Sequence, residues 1–329
     1  LEDLCEEQKH RAQKRRRLRE GAVKPTSADA ADVVPVSRDN PVPAPPFWGK
    51  RVITDLSARH IFPFINELAL FRGQWGFKQG RLTPDEFATL TEDKARPVFE
   101  SLKRRALEEG FLEPKVVYGY FPVQSRGEDV VVYHVEEFQC DPKCGCGSKA
   151  HGSAVGLIPN GTPREWLRFS FPRQQGRRRL CIADFFRSTQ SGQFDVLGVQ
   201  LVTVGHKVSH LAEKLRAENK YQEYLYVHGF GVESAEALAE FWHKRMRQEL
   251  GLGSEDAASV RELFQQGYRG SRYSFGYPAC PDLEDRAKIV TLLDAEAIGV
   301  KLTENFMLEP EQSTDAIVVH HPQAKYFDT

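Results

Sequence analysis

The stretch 272–281 (RYSFGYPACP) has the residue types of a loop that binds a charged organic ligand. Arg272 can hold a carboxylate through two parallel hydrogen bonds. The aromatic faces that follow it can stack on a base or attract a cation, and Gly276 lets the backbone approach a ligand closely. The two prolines predict a stiff, extended segment, and Asp282 predicts the cap of a helix beyond it. From residue types alone, a rigid surface loop is an equal alternative.

A second cluster of reactive side chains contains Cys140, Cys144, Cys146 and His151, in a glycine-rich connection between two predicted strands. Three thiolates and one imidazole would complete the tetrahedral coordination of a structural zinc ion. The spacing C-x3-C-x-C is not that of a standard zinc knuckle, and the alternative is a hairpin tip with reduced thiols. Zinc is therefore a candidate cofactor that would stabilise a loop without taking part in catalysis.

Other familiar signatures of catalysis are missing from the sequence, which has no P-loop and no G-x-S-x-G elbow. Gly229-Phe230-Gly231 lies between predicted helices and is interpreted as a turn. His206 and His210 stand four apart on a predicted helix, but no acid completes a metal site, so we interpret them as surface residues. His320 and His321 are adjacent near a predicted strand, where neighbouring side chains point to opposite faces, so they would make a poor pair of metal ligands. No catalytic residue is therefore predicted.

The elements that must position these residues are predicted to come in separate blocks. The segment 83–86 (TPDE) predicts the capped start of a helix. Phe99, Leu102 and Ala106 share one face of a second predicted helix, which ends at Gly110. Strands are predicted at 115–123, 129–135, 166–171, 194–205, 300–303 and 316–320, and further helices at 206–220, 234–250 and 282–297. Because helices and strands do not alternate, the order predicts an α+β fold around an antiparallel sheet.

Composition excludes several classes of protein. The 329 residues carry 45 Lys+Arg against 46 Asp+Glu, so the net charge of -1 provides no overall field for nucleic acid. No run approaches the roughly 18 apolar residues of a membrane helix. The six cysteines are too few for a disulfide scaffold, and no signal peptide opens the sequence. We therefore expect a cytoplasmic protein without nucleic-acid or membrane partners.

The first 47 residues differ in composition from the rest. Residues 1–21 predict a helix that ends in a basic run, which we interpret as a solvated helix face. Residues 22–47 are rich in proline and poor in large apolar residues, which is typical of a linker. The globular part is then expected at 48–329. Because residue 1 is leucine, we expect the chain to be a piece of a larger protein.

The stretch 272–281 resembles the RxxxGYPACP signature of the activation domain of cobalamin-dependent methionine synthase. Further segments are similar to sequences of that family and occur in the same order along the chain: KVVYGYFP (115–122), ADF (183–185), GVQLVTVG (198–205), AEALAEFWHKRMR (235–247), KLTENF (301–306) and HPQAKYF (321–327). The resemblance covers residues 48–327, and residues 1–21 resemble the last helix of the cobalamin-binding module that precedes the domain. It implies a curved, helmet-like α+β domain with a twisted antiparallel sheet flanked by helices.

The resemblance also implies a function. The family's enzyme transfers a methyl group from methyltetrahydrofolate to homocysteine through cobalamin, which is occasionally oxidised to an inactive Co(II) state. Its activation domain binds S-adenosylmethionine, whose methyl group restores the cofactor together with one electron from flavodoxin or a similar reductase. The chain would then be the reactivation module of a methyltransferase, with cobalamin (vitamin B12) held by the neighbouring module and no homocysteine or folate site of its own.

The resemblance assigns residues to the S-adenosylmethionine site position by position. Arg272 takes the place of the arginine that binds the ligand's carboxylate. Asn66 aligns with an aspartate that binds the ligand in the family. Its amide oxygen could accept a hydrogen bond from the ligand's ammonium group but would lack the negative charge of a carboxylate, so Glu67 is the alternative acid. The expected contacts are Arg272, Gly276, Tyr277, Ala279, Tyr326, Phe327, Asn66 and Glu67. The cysteine cluster has no counterpart in the family's pattern.

Two alternative functions stay open. One is a stand-alone S-adenosylmethionine-dependent methyltransferase, although the glycine-rich strand-to-helix loop of such enzymes is missing. The other is a binding module that uses the basic helix and the cysteine cluster for zinc or nucleic acid. Product formation without cobalamin would support the first, and salt-dependent nucleic-acid binding would support the second.

Overall fold

The computed structural model describes residues 36–140, 157–159, 161–174 and 178–327. In this part of the chain seven strands form one antiparallel sheet: β1 (Gly49–Ile53), β2 (Lys115–Arg126), β3 (Asp129–Tyr133), β6 (Glu165–Ser170), β7 (Asp195–Thr203), β8 (Ser271–Tyr273) and β11 (Ser313–Val319). Their order in the sheet is β6-β3-β2-β7-β11-β8, and β1 pairs with β2 beside β3. Two small hairpins join β4 (Phe138–Cys140) to β5 (Leu157–Pro159) and β9 (Lys301–Leu302) to β10 (Leu308–Glu309). The predicted α+β class is confirmed.

The core lies on both faces of this sheet. Strand β7 is buried along its whole length, and its successive side chains point to opposite faces. Val196 and Val202 belong to an apolar cluster with the long helices on one face, whereas Val199 and Leu201 belong to a second cluster on the other. Because both faces of the sheet are covered here, the sequence of β7 is an almost continuous apolar run.

The helices are α1 (Pro84–Leu90), α2 (Arg96–Glu108), α3 (Lys207–Ala217), α4 (Tyr221–Glu249), α5 (Val260–Leu263) and α6 (Arg286–Leu293). Two π-helical stretches, Ala69–Gln74 and Thr91–Ala95, precede α1 and α2. The predicted start of α1 is confirmed, since the N–H of Glu86 donates to Thr83 Oγ1 and the N–H of Thr83 donates to Glu86 Oε2. Helix α2 buries Phe99, Leu102 and Ala106, as its spacing predicted.

The prediction of a turn at Gly229-Phe230-Gly231 was wrong, because all three residues lie inside α4. A Cβ atom at Gly229 would lie 2.6 Å from the Cβ of Gln74, and one at Gly231 would lie 2.8 Å from Val208 Cγ2. Both distances are too short for real atoms, so glycine here allows neighbouring segments to approach the helix closely. The neighbours that require glycine are far away in the sequence. The local pattern of two glycines therefore could not be distinguished from that of a turn.

The predicted helix 282–297 is also interrupted in the structure. Its α-helical part is α6, between a short 3-10 turn at Leu283–Asp285 and another at Ala295–Ile298. Asp294 has a left-handed φ of 53°, which ends the series of α-helical hydrogen bonds. Asp282 caps the first turn, because its Oδ1 accepts from the N–H of Glu284 at 3.1 Å.

The C-terminal end of the predicted linker packs on the domain. The ring of Phe47 lies 5.4 Å from that of Tyr118 and 5.1 Å from that of Tyr120. The N–H of Ser37 donates to Gln323 Oε1 at 2.7 Å, far along the chain. Residues 1–35, with the predicted terminal helix, lie outside the described residues. Within the described ranges, no helix is both long and apolar enough to cross a membrane.

Candidate functional site

Arg272 lies on β8, the terminal strand of the sheet, and its cross-strand partner is Val318 on β11. Cross-strand partners share a face, and Val318 belongs to the cluster under α4, so Arg272 projects towards α4. There its Nη2 lies 3.3 Å from Glu236 Oε2, and its Nε lies 3.5 Å from Glu240 Oε2. The cation thus has two carboxylates beside it.

Glu236 and Glu240 stand four apart on α4 and therefore lie on one face of the helix. The side chain of Glu236 is 46% exposed, whereas that of Glu240 is 8% exposed. Among the described residues, Oε1 of Glu240 and Nη1 of Arg272 are buried without a hydrogen-bond partner. Such an unsatisfied group costs about 1–3 kcal/mol. A ligand with both an acceptor and a donor would recover that free energy.

The electrostatics keep Arg272 charged. Burial acts against its charge, but attraction to Glu236 and Glu240 outweighs burial and raises the pKa of Arg272. Burial dominates at Glu240, whose pKa is raised despite the nearby Arg272 and Arg247. Burial, together with the same two arginines, lowers the pKa of His243 far below its usual value, so this imidazole is neutral. His243 therefore adds no positive charge to the site.

The loop after β8 is folded into two tight turns, not extended as predicted. The N–H of Gly276 donates to the carbonyl of Cys280, and the N–H of Cys280 donates to the carbonyl of Tyr277, both at 3.0 Å. Gly276 has a φ of +93°, which only glycine adopts readily. Tyr277 is 56% exposed, whereas Ala279 is buried. The turns therefore present an aromatic side chain at the surface.

The predicted aromatic pair near the C-terminus lies beside β8. The hydroxyl of Tyr273 donates to the carbonyl of Lys325 at 2.8 Å, and the ring of Phe327 lies 5.8 Å from that of Tyr273. Phe327 is buried, and Tyr326 is 42% exposed. The structure thus brings two of the predicted segments, one around Arg272 and one around Tyr326, to the same edge of the sheet.

Asn66 and Glu67 have partners other than Arg272. The Oδ1 of Asn66 accepts from the N–H of Ala69 at 3.2 Å, which caps the helical segment that follows. Glu67 forms two hydrogen bonds with Arg96, at 2.5 and 2.7 Å. Both residues therefore have local structural roles in this conformation.

The carboxylates beside Arg272, Glu236 and Glu240, were missed by the sequence analysis. The sequence nevertheless contained a signal for them, because the two glutamates stand four residues apart in the otherwise apolar helical segment 235–242 (AEALAEFW). Glutamates within the apolar face of a helix require a partner when buried. The sequence could not identify Arg272 as that partner, since the two segments are 36 residues apart.

The candidate zinc site cannot be assembled from the described residues. Cys140 ends β4 and pairs with Leu157 of β5, so the hairpin connection begins there. Cys144, Cys146 and His151 lie outside the described residues. In the ranges that the structure describes, no group of three or more His, Cys, Asp or Glu side chains could hold a metal ion. Zinc binding at this cluster stays a prediction.

Comparisons with known proteins identify relatives of the whole domain. Residues 60–329 match the family described as vitamin B12 dependent methionine synthase, activation domain. The methionine synthases of Mycobacterium tuberculosis and Mycobacterium leprae are 45% and 44% identical over 306 and 303 residues, which cover 89% and 88% of this chain. The chain spans only 24% and 23% of the lengths of these relatives.

A solved structure has the same fold. It is the crystal structure of the MetH reactivation domain bound to AdoHcy, with a TM-score of 0.74 and 25% sequence identity. The alignment covers 93% of this chain and 90% of that chain. On the strength of the family match over most of its length, the chain belongs to the activation-domain family of vitamin B12-dependent methionine synthase.

Proposed function

We propose that this chain is the reactivation module of a cobalamin-dependent methionine synthase and that it binds S-adenosylmethionine at the β8 edge of the sheet. Three findings support this: the family membership, the mycobacterial relatives and the related domain with AdoHcy bound. They do not support the two alternatives, a stand-alone methyltransferase and a zinc or nucleic-acid binding module.

The observation that carries the proposal is the position of Arg272 beside Glu236 and Glu240. The amino-acid end of S-adenosylmethionine has a carboxylate and an ammonium group. The carboxylate can accept from Nη1 of Arg272, and the ammonium can donate to Oε1 of Glu240; neither atom has a hydrogen-bond partner within the described residues. One zwitterion would therefore satisfy both buried groups with charge-assisted hydrogen bonds.

The aromatic residues of the edge suit the rest of the ligand. The exposed rings of Tyr277 and Tyr326 can stack on an adenine or attract the sulfonium cation. Gly276 would let the loop backbone lie close to the ligand, and Phe327 would support the edge from within the core. Together these groups would orient the sulfonium methyl for transfer, which is the main contribution a protein makes to such a step.

Cobalamin would be held by the neighbouring module, and when bound it would supply the cobalt that receives the methyl group. We assign residues 1–21 to the last helix of that module, 22–47 to the linker and 48–329 to the activation domain. The linker would keep the two modules at a high effective concentration while allowing them to separate. Flavodoxin or a similar reductase would supply the electron.

The compartment proposed for this reaction is the cytoplasm. Cys181 and Cys280 are buried free thiols, which fits a reducing environment.

Calorimetric titration of the 329-residue chain with S-adenosylmethionine and with AdoHcy tests the proposed site. Arg272→Ala should weaken binding by about 2 kcal/mol, because the ligand's carboxylate loses a charge-assisted pair. The matched control is Arg105→Ala, which breaks only a surface pair between α2 and Glu109 just beyond its end, and this variant should bind as the wild type does. Wild-type affinity in Arg272→Ala would refute the site.

The tether is tested separately in the full-length enzyme. Insertions before residue 36, ahead of the part of the linker that packs on the domain, should slow reactivation without changing the affinity for S-adenosylmethionine, because only the effective concentration of the modules changes. An unchanged reactivation rate would contradict this part of the proposal.

A further inference from the structure

Arg286, at the first position of α6, contacts three separate segments with one guanidinium group. Its Nη2 donates to the carbonyl of Phe275, and its Nη1 donates to the carbonyl of Phe306, both at 3.2 Å. Its Nε lies 3.4 Å from Oδ2 of Asp315 on β11. The side chains of Arg286 and Asp315 are 13% and 0% exposed, so these contacts are largely shielded from water.

The first contact fixes one peptide group of the ligand loop. Phe275 and Gly276 share a peptide bond, whose carbonyl accepts from Arg286 and whose N–H donates to the carbonyl of Cys280. A planar peptide held on both sides cannot rotate without breaking one of the two bonds. This peptide lies one residue before Tyr277, so its orientation constrains the backbone that carries the exposed ring of Tyr277.

The second contact holds a neighbouring loop in an unusual conformation. Phe306 has a φ of +58°, which is uncommon for a residue with a side chain. The Sδ of the next residue, Met307, lies 3.8 Å from Nη1 of Arg286, and Met307 is 48% exposed. The same guanidinium therefore ties the loop of Met307 to the loop of Tyr277.

The third contact explains why a cation can be buried between two carbonyl groups. Asp315 supplies the opposite charge from the sheet, although its two oxygens have no hydrogen-bond partner among the described residues. Burial raises the pKa of Asp315 to about 6, against the attraction of Arg286. The pair is thus an ion pair held in place by packing.

Arg286 does not share a face of the sheet with Arg272. Side chains alternate along β11, so Asp315 lies on the face opposite to Val318, the cross-strand partner of Arg272. Arg286 pairs with Asp315 and therefore can influence the ligand only through the two loops.

We propose that Arg286 is a positioning residue for the ligand site, which anchors the Tyr277 and Met307 loops to Asp315 and so preorganises the surface that receives the ligand. The inference rests on the proposed function for the identity of the ligand. Preorganisation strengthens binding because less conformational freedom is lost when the ligand arrives.

The test is amide hydrogen exchange of the ligand-free chain, combined with AdoHcy titration. The double variant Arg286→Met, Asp315→Leu removes both charges, since an apolar pair of similar volume often preserves stability. The amides of Gly276 and Cys280 should lose about tenfold or more in protection, and AdoHcy affinity should fall about tenfold. Amides of the central strand β7 should exchange as in the wild type.

Two further variants separate positioning from general stability. Arg286→Lys retains the charge near Asp315 but not the planar fork that reaches two carbonyls, so global stability should stay near that of the wild type while the protection of Gly276 is lost. Lys288→Gln, which removes a cation of the same helix that pairs with Asp285, should leave both loop amides and AdoHcy affinity unchanged.

Wild-type protection and affinity in the double variant would overturn the inference, and so would a uniform rise in exchange that includes β7. If the wild-type chain bound neither S-adenosylmethionine nor AdoHcy, the proposed function would fall. In that case the exchange of Gly276 and Cys280 would still decide whether Arg286 holds the loop.

Discussion

The guanidinium Nε of Arg272 lies 3.5 Å from one oxygen of Glu240, while the other oxygen of that carboxylate is buried without a hydrogen-bond partner in the described part of the chain. The two residues come from a terminal strand and a long helix that meet only in the folded domain. A half-satisfied buried carboxylate next to a cation is an arrangement that a ligand's ammonium group would complete.

Replacing this carboxylate should weaken ligand binding. In Glu240→Gln the ammonium would meet a neutral amide oxygen, so S-adenosylmethionine affinity should fall about tenfold in a calorimetric titration. Arg272 would retain Glu236, so the fold should persist. Glu109→Gln, a surface change just beyond the end of α2, should bind normally. Equal affinities in the Glu240 and Glu109 variants would exclude Glu240 from the site.

The ion pair between Arg247 and Asp256 should contribute strongly to stability. Its atoms are 2.7 Å apart, and the two side chains are 1% and 5% exposed. Asp256→Ala would leave a buried cation without its hydrogen-bonded partner, so urea unfolding should show a loss of about 3–5 kcal/mol. Glu109→Ala breaks an exposed pair and should cost less than about 1 kcal/mol. Comparable losses in the two variants would contradict this account.

Glu233 should make stability fall as the pH rises. Burial raises its pKa from 4.5 to about 7, opposed by a hydrogen bond from Gln74 and reinforced by Glu236. Between these values the folded chain holds a proton that the unfolded chain has lost. The stabilisation is thus complete below pH 4.5 and is lost as the pH passes 7.

Glu233→Gln copies the protonated form and should therefore match the wild type near pH 4.5. Near pH 8 it should be the more stable protein, by on the order of 1–3 kcal/mol. Chemical denaturation at the two pH values checks this. A stability difference that does not change with pH would show that Glu233 does not titrate in this range.

The close approach at Gly229 should make alanine destabilising there. Alanine is the better helix former by about 1 kcal/mol, but its Cβ would lie 2.6 Å from the Cβ of Gln74. Overpacking of this kind costs about 1–3 kcal/mol, so thermal unfolding should shift to lower temperature. Gly73 has no atom within 4 Å of an added Cβ, and Gly73→Ala should be neutral or stabilising. The opposite order would refute the packing explanation.

Arg187 should hold the chain segment that enters the domain. Its guanidinium contacts the carbonyl of Arg38 and donates to the carbonyl of Asn40 at 2.5 Å. Arg187→Ala should increase proteolytic cleavage at residues 36–40 several-fold, because these carbonyls lose their donor. S-adenosylmethionine affinity should not change. Cleavage at the wild-type rate would mean that other contacts, such as Ser37 to Gln323, are sufficient.

Local interactions made part of this fold predictable. The capping box of Thr83 and Glu86 and the apolar face of α2 depend on residues at most a few positions apart, so the sequence shows them directly. The strands were predictable because alternation and β-branched residues are also local signals. Recognition of the loop 272–281 depended on a short motif, and the family membership then confirmed it.

The sequence by itself therefore determined the α+β class, most elements and the family. Only the tertiary structure decided that Gly229 lies inside a helix, that Glu236 and Glu240 meet Arg272, and that Arg286 joins two loops to Asp315. The physical reason is that these contacts join segments far apart in the chain. Which side chains meet depends on the face that α4 presents to the sheet and on the register of β8 and β11, and neither is encoded in any short stretch of residues.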